Sequence, residues 1–161
     1  MQPRLSPVPL LALLAACAIR GSGAEVTTPE PSGPLWSAVL MPRSHAGAPI
    51  GGSASMAGVS GRESQTVAVI SLDGASPDAP LSWEVRAGDC SSTGPLLGPT
   101  AVYPVLRPRV DRTANATATL PVEPPRDGLY SVRVHASPDR RGALVACGDL
   151  RRTDPETGAE R

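Results

Sequence analysis

An all-β fold is predicted for this chain, an antiparallel sandwich or barrel of seven or eight short strands. Three observations predict it. Apolar residues recur with period two in short segments separated by clusters of turn-forming residues, and no segment shows the 3.6-residue period of a helix. The composition, with 19 Pro, 16 Gly, no Phe and much Ala and Val, suits a loop-rich β fold. The 161 residues leave room for one ordinary domain, and no repeat of 20 to 50 residues divides them.

Taken in order, "PLWSAVLMP" (Pro34 to Pro42) alternates Leu35 or Trp36 with small residues between prolines and predicts the first strand. "GSASMAGVSG" (Gly52 to Gly61) predicts a second, of small residues, with Ala54, Met56 and Gly58 on one face. In "QTVAVISL" (Gln65 to Leu72), Ala68, Ile70 and Leu72 oppose Val67, Val69 and Ser71. The cluster "DGASPDAP" turns the chain into a fourth strand, "LSWEVR" (Leu81 to Arg86). The segment Ala87 to Arg112 is rich in Gly and Pro and too long for a hairpin connection, so it calls for a functional site or a covalent pin; Cys90 is the candidate pin. "TANATATL" (Thr113 to Leu120) alternates cleanly. "GLYSVRVHASP" (Gly128 to Pro138) sets Leu129, Ser131, Arg133 and His135 against Tyr130, Val132 and Val134, and "ALVACGDL" closes the domain.

The ends read differently. Arg4, the apolar run "PVPLLALLAACAI" and the small residues after it make an export signal, too short to span a bilayer. "LAAC" (Leu14 to Cys17) resembles the bacterial lipobox, whose cysteine is lipidated after cleavage, with Ala18 behind it of the type that permits transfer to the outer membrane. Two alternatives remain: cleavage after "SGA" (Ser22 to Ala24), or loss of Cys17 with the whole signal. Residues 1–24 are thus assigned to the signal, 25–33 ("EVTTPEPSG") to a polar, proline-broken tether, 34–150 to the domain and the charged 151–161 to a disordered tail. Expected locations are the outer membrane or the periplasm, with secretion as the alternative.

With Cys17 assigned to processing, Cys90 and Cys147 remain. An even count in an oxidising compartment reads as one disulfide; two unpaired buried thiols are the alternative. Closing a loop of that length is worth about 4 kcal/mol on the chain-entropy model. Fifteen basic residues, all Arg, balance fifteen acidic ones, so no field favours nucleic acid or an anionic membrane surface. The membrane is then a partner through a lipid on Cys17, and no protein partner is named by the residues.

Three segments in order resemble the copper/zinc superoxide dismutase family, most of all its bacterial exported members. "WEVRAGDCSSTGP" matches a strand that carries a His-x-His pair into a loop with a cysteine; "YSVRVHASP" matches a strand ending in a ligand histidine; "ALVACGDL" matches the last strand, whose cysteine pairs with the loop cysteine. The likeness covers roughly Trp36 to Leu150. It implies a Greek-key β-barrel in which Cys90 ties the long loop to Cys147.

The metal site departs from that pattern. A redox copper needs several imidazoles, and this chain has two histidines. His135 matches a copper ligand, but Glu84 and Arg86 replace the His-x-His pair, Leu96 and Leu97 stand where zinc histidines belong, Leu144 replaces the family's guiding arginine, and His45 in "RSHAGAP" matches no ligand. Arg86 is a permanent cation where the ion should sit. A non-catalytic member with no cofactor is therefore expected, in a structural or binding role. The alternative is a weak copper site or weak dismutase built from His135, Glu84 and His45. Glu84 and Arg86 share one strand face, and with His135 they are expected to form a polar cluster in place of the ion; the alternative leaves all three solvated.

Other chemistry finds no support. There is no G-x-S-x-G, H-E-x-x-H, C-x-x-C or phosphate-cradling glycine loop, and Ser91 and Ser92 have no base near them in sequence. "NAT" (Asn115 to Thr117) reads as strand rather than a glycosylation site, and Trp36 and Trp83 read as core.

Overall fold

The structure, a computed structural model, describes residues 31–43, 49–92 and 94–153. The proposed signal with Cys17, the tether up to residue 30, His45 and the tail from residue 154 lie outside the described residues. Seven strands form among those described: β1 (Pro31–Pro42), β2 (Gly51–Val59), β3 (Arg62–Asp73), β4 (Ser82–Ala87), β5 (Ala114–Leu120), β6 (Tyr130–His135) and β7 (Leu144–Thr153). Among the described residues helix is confined to one 3-10 turn, Thr100–Val102.

All pairings are antiparallel, in the order β4-β6-β7-β1-β2-β3-β5, and the sheet curls into a half-barrel. β1 to β3 form a meander. The chain then skips to the far edge for β4, returns to β5 beside β3 and skips again to β6 beside β4. The long segment after β4 lies along the β4 edge, where Leu81 and Leu106 exchange backbone hydrogen bonds of 3.0 and 2.9 Å, and it turns into β5 with the Arg109 amide bonded to the Thr113 carbonyl. The bridge adds one residue pair beside the start of β4 and leaves the order of the seven strands as it stands. The eighth strand allowed by the sequence is thus one bridged residue pair, because prolines at 104 and 108 flank Leu106 and remove ladder donors.

Period two sorts the side chains. Trp36, Ala38 and Leu40 of β1, Ala54 and Met56 of β2, Ala68, Ile70 and Leu72 of β3, Trp83 and Val85 of β4, and Val132 and Val134 of β6 all point inward and are buried. With no Phe in the chain, the two indoles supply the bulk. Trp83 meets Tyr103 edge-on at 5.3 Å and Trp36 meets Tyr130 at 5.4 Å. Each indole N–H reaches a loop carbonyl at 3.0 Å, Trp36 to Pro125 and Trp83 to Pro104, so burial leaves neither donor unpaired and each tryptophan ties a proline-rich connection to the core.

Two expected boundaries are corrected. Pro31 and Ser32, expected in the tether, pair with Val59 and Gly58, and Gly33 at φ 74° marks the irregularity between Ser32 and Trp36. At the other end, Arg151 to Thr153, expected in the tail, extend β7 against Ser37, Trp36 and Leu35. Backbone ladder bonds are indifferent to charged side chains that stay exposed, so residue type alone put these ends outside the domain.

Candidate functional site

The outer face of β4, β6 and β7 lies beneath the long loop. Glu84 and Arg86 project from β4, Ser131, Arg133 and His135 from β6, and Cys147 and Asp149 from β7, because these residues alternate with the inward Trp83, Val85, Val132, Val134 and Ala146. Register sets Glu84 directly across from Arg133, and Arg133 across from Cys147.

Glu84 is the centre of this face, and its side chain is only 3% exposed. Arg86 donates from Nε to Oε1 at 2.5 Å, His135 Nε2 stands 3.6 Å from the same oxygen, and Arg140 Nε stands 3.5 Å from Oε2. Burial alone would push the Glu84 carboxyl upward. The adjoining imidazole and the hydrogen-bonded Arg86 guanidinium outweigh it and hold the group down at about 2. The cluster therefore carries an ionised carboxylate throughout the physiological range.

The same cations hold the loop. Arg86 donates from Nη1 to the Gly94 carbonyl at 2.8 Å. Arg133, 9% exposed, donates from Nη2 to the carbonyls of Asp89 and Ser92. Arg140 donates from Nη2 to the Thr100 carbonyl at 3.1 Å, with its guanidinium 5.8 Å over the Tyr103 ring. Tyr103 in turn donates to the Leu97 carbonyl, and its burial raises the hydroxyl to about 12. Asp89 turns the loop locally, accepting from Ser91 and Ser92, which holds its own carboxyl below the usual range. Cys90 and Cys147 are bonded, with Cα atoms 6.0 Å apart across a separation of 57 residues.

The structure therefore brings Glu84, Arg86 and His135 together and joins Cys90 to Cys147. Leu96 and Leu97 are partly buried and pack against the core. Arg140 and Arg133 are the two members without an assigned role in the sequence reading. Arg133 was legible as a face-mate of His135 by alternation. Arg140 had no periodic signal: it sits in the β6–β7 turn at φ 64°, and only the fold of that turn aims it at Glu84.

The donor set does not suit copper. Both Glu84 oxygens face guanidinium groups, and His135 Nδ1 lies 3.2 Å from the Gly142 carbonyl, which fixes the ring. Among the described residues no three His, Cys, Asp or Glu side chains converge as ligands. A cation entering here would meet Arg86, Arg133 and Arg140 before it met two donors of its own. Comparison with protein families finds no family model that matches the chain, and comparison with curated proteins finds no match.

Proposed function

We propose that this is an exported, non-catalytic β domain with a structural or binding role, a bacterial lipoprotein held at the outer membrane or in the periplasm through Cys17, in which a superoxide dismutase-like framework has exchanged its metal centre for an ion-pair network. The observation that carries this reading is Glu84, a buried carboxylate faced by Arg86 and Arg140, the very guanidinium groups that hydrogen-bond the loop carbonyls of Gly94 and Thr100. A catalytic copper centre must stay open to substrate and exchange electrons. Here the corresponding face is occupied by side chains whose hydrogen bonds fasten the loop down.

Further support comes from the curled antiparallel sheet and from the disulfide that links the long loop to β7. The expected partners are a lipid bilayer through the anchor and a protein or envelope component through the barrel surface. The balanced charge argues against nucleic acid.

The test is metal analysis of the protein purified without chelator, together with a superoxide assay after copper addition. No stoichiometric copper and no rate above free copper is the expected result; a copper-dependent rate that disappears in His135→Ala would overturn the reading. For the anchor, Cys17→Ser is expected to move the protein from the membrane to the soluble fraction, and unchanged partition would rule lipidation out.

A further inference from the structure

The disulfide and its surroundings divide the work of holding the loop in an unexpected way. Residues 87–97 are attached to the sheet at several points that involve no sulfur. The Cys90 amide donates to Asp149 Oδ1 at 2.7 Å. The carbonyls on either side of it, Asp89 and Ser92, are both taken by Arg133. Ala87 bonds Pro95, Leu97 bonds Val85 and Gly88 bonds Leu129, all between 2.7 and 2.9 Å, and Arg86 holds Gly94. Arg133 and Asp149 flank Cys147 in the sheet, one across the ladder and the other two residues along. Hydrogen bonds with one charged partner are the stronger kind.

We propose that Arg133 and Asp149 form a template that seats Cys90 on Cys147 independently of their bond, so that the loop stays docked in both the dithiol and the disulfide state and the pair recloses readily after reduction. The sulfurs also have a route to a redox partner. Cys90, half-buried, and Cys147, buried, line a groove of about 690 Å³ on the outer sheet face, together with Ser37, Val39, Met41 and Arg43.

With a small-molecule disulfide as oxidant, the Cys90 thiolate attacks one of its sulfurs and releases one thiolate. The Cys147 thiolate then attacks Cys90 in the mixed disulfide and expels the second. Two protons go to solvent, the protein loses two electrons and the oxidant gains them. Reduction runs the same path backwards, with the accessible Cys90 as the sulfur that reacts with the outside thiol.

Two measurements test the template. In a Cys90→Ser, Cys147→Ser double variant, amide hydrogen exchange at Ala87, Cys90→Ser and Leu97 is expected to stay protected, within about tenfold of the oxidised protein once scaled to Ala68 and Ile70 of the β2–β3 ladder. Exchange of the loop amides at the rate of an open chain while that ladder holds, or failure of the variant to fold, would overturn the proposal. In redox titration of the intact protein against glutathione and its disulfide, Arg133→Met is expected to lower the equilibrium constant for closing the disulfide by about tenfold or more, while Arg62→Met, on the exposed end of β3, leaves it unchanged. Equal constants for Arg133→Met and the unaltered protein would overturn it too.

Discussion

Glu84 shows how one substitution pattern in a strand determines what a surface can do. Its carboxyl lies near 2 against an ordinary value of 4.5, so ionisation stabilises the folded state at any pH above the unfolded value and that stabilisation fades as pH falls from 4.5 through 2. Urea unfolding is expected to show a fall of up to about 3 kcal/mol over that window, to which Asp89, Asp111 and Asp139, also held low by local hydrogen bonds, add smaller amounts. Glu84→Gln should cost up to about 3 kcal/mol at pH 7, because it leaves the half-buried Arg86 and Arg140 without their counter-charge, and should flatten the acid limb. A variant as stable as the parent at pH 7 would mean the cluster is solvated. The pairing of Glu84 with Arg86 was legible from their spacing on one strand face. Its direction was not: Arg133 stands opposite Glu84 in register, yet its Nη2 is drawn to Asp89 and Ser92, which no local pattern announces.

Among the strands, small residues decide how closely neighbours approach. Gly52 on β2 has φ 150°, and a Cβ there would come within 2.0 Å of the Ser71 carbonyl oxygen on β3. Backbone cannot swing aside as a long side chain can, so Gly52→Ala is expected to destabilise by more than about 2 kcal/mol, measured as a lower urea midpoint with an unchanged slope. An unaffected midpoint would show that the β2–β3 ladder can open at that end. The small-residue strand was recognisable in the sequence as a strand with Ala54, Met56 and Gly58 on one face, and the structure buries all three. The extensions at Pro31 and Arg151 were not recognisable, because their membership rests on ladder bonds to Val59 and Ser37 rather than on hydrophobic patterning.

Across the molecule, the segment between β4 and β5 covers the β4 edge of the half-barrel. Leu106 is fully buried against β4, Trp83 and Tyr103 pack edge to face beneath it, and the Cys90–Cys147 bond fastens the start of the segment to β7. Covering the β4 edge also removes exposed ladder groups of the kind that promote edge-to-edge association. Reducing the disulfide is expected to lower the free energy of unfolding by about 4 kcal/mol, chiefly by freeing the unfolded chain. The circular dichroism of the β-sheet should persist in the reduced protein, and its loss on reduction under native conditions would show that the bond, not the core, holds the fold.

Alternation, turn clusters and cysteine count were enough to predict an all-β domain of seven or eight strands, which residues share a strand face, and one disulfide, because period-two patterning and thiol chemistry are local properties of a chain. Strand order, the single-pair bridge at Leu106 and the arrival of Arg140 at Glu84 came only from the tertiary structure. Those features depend on which distant segments share a ladder, and a turn residue such as Arg140 acquires its partner only when two connections, from β4 and from β6, come to lie side by side.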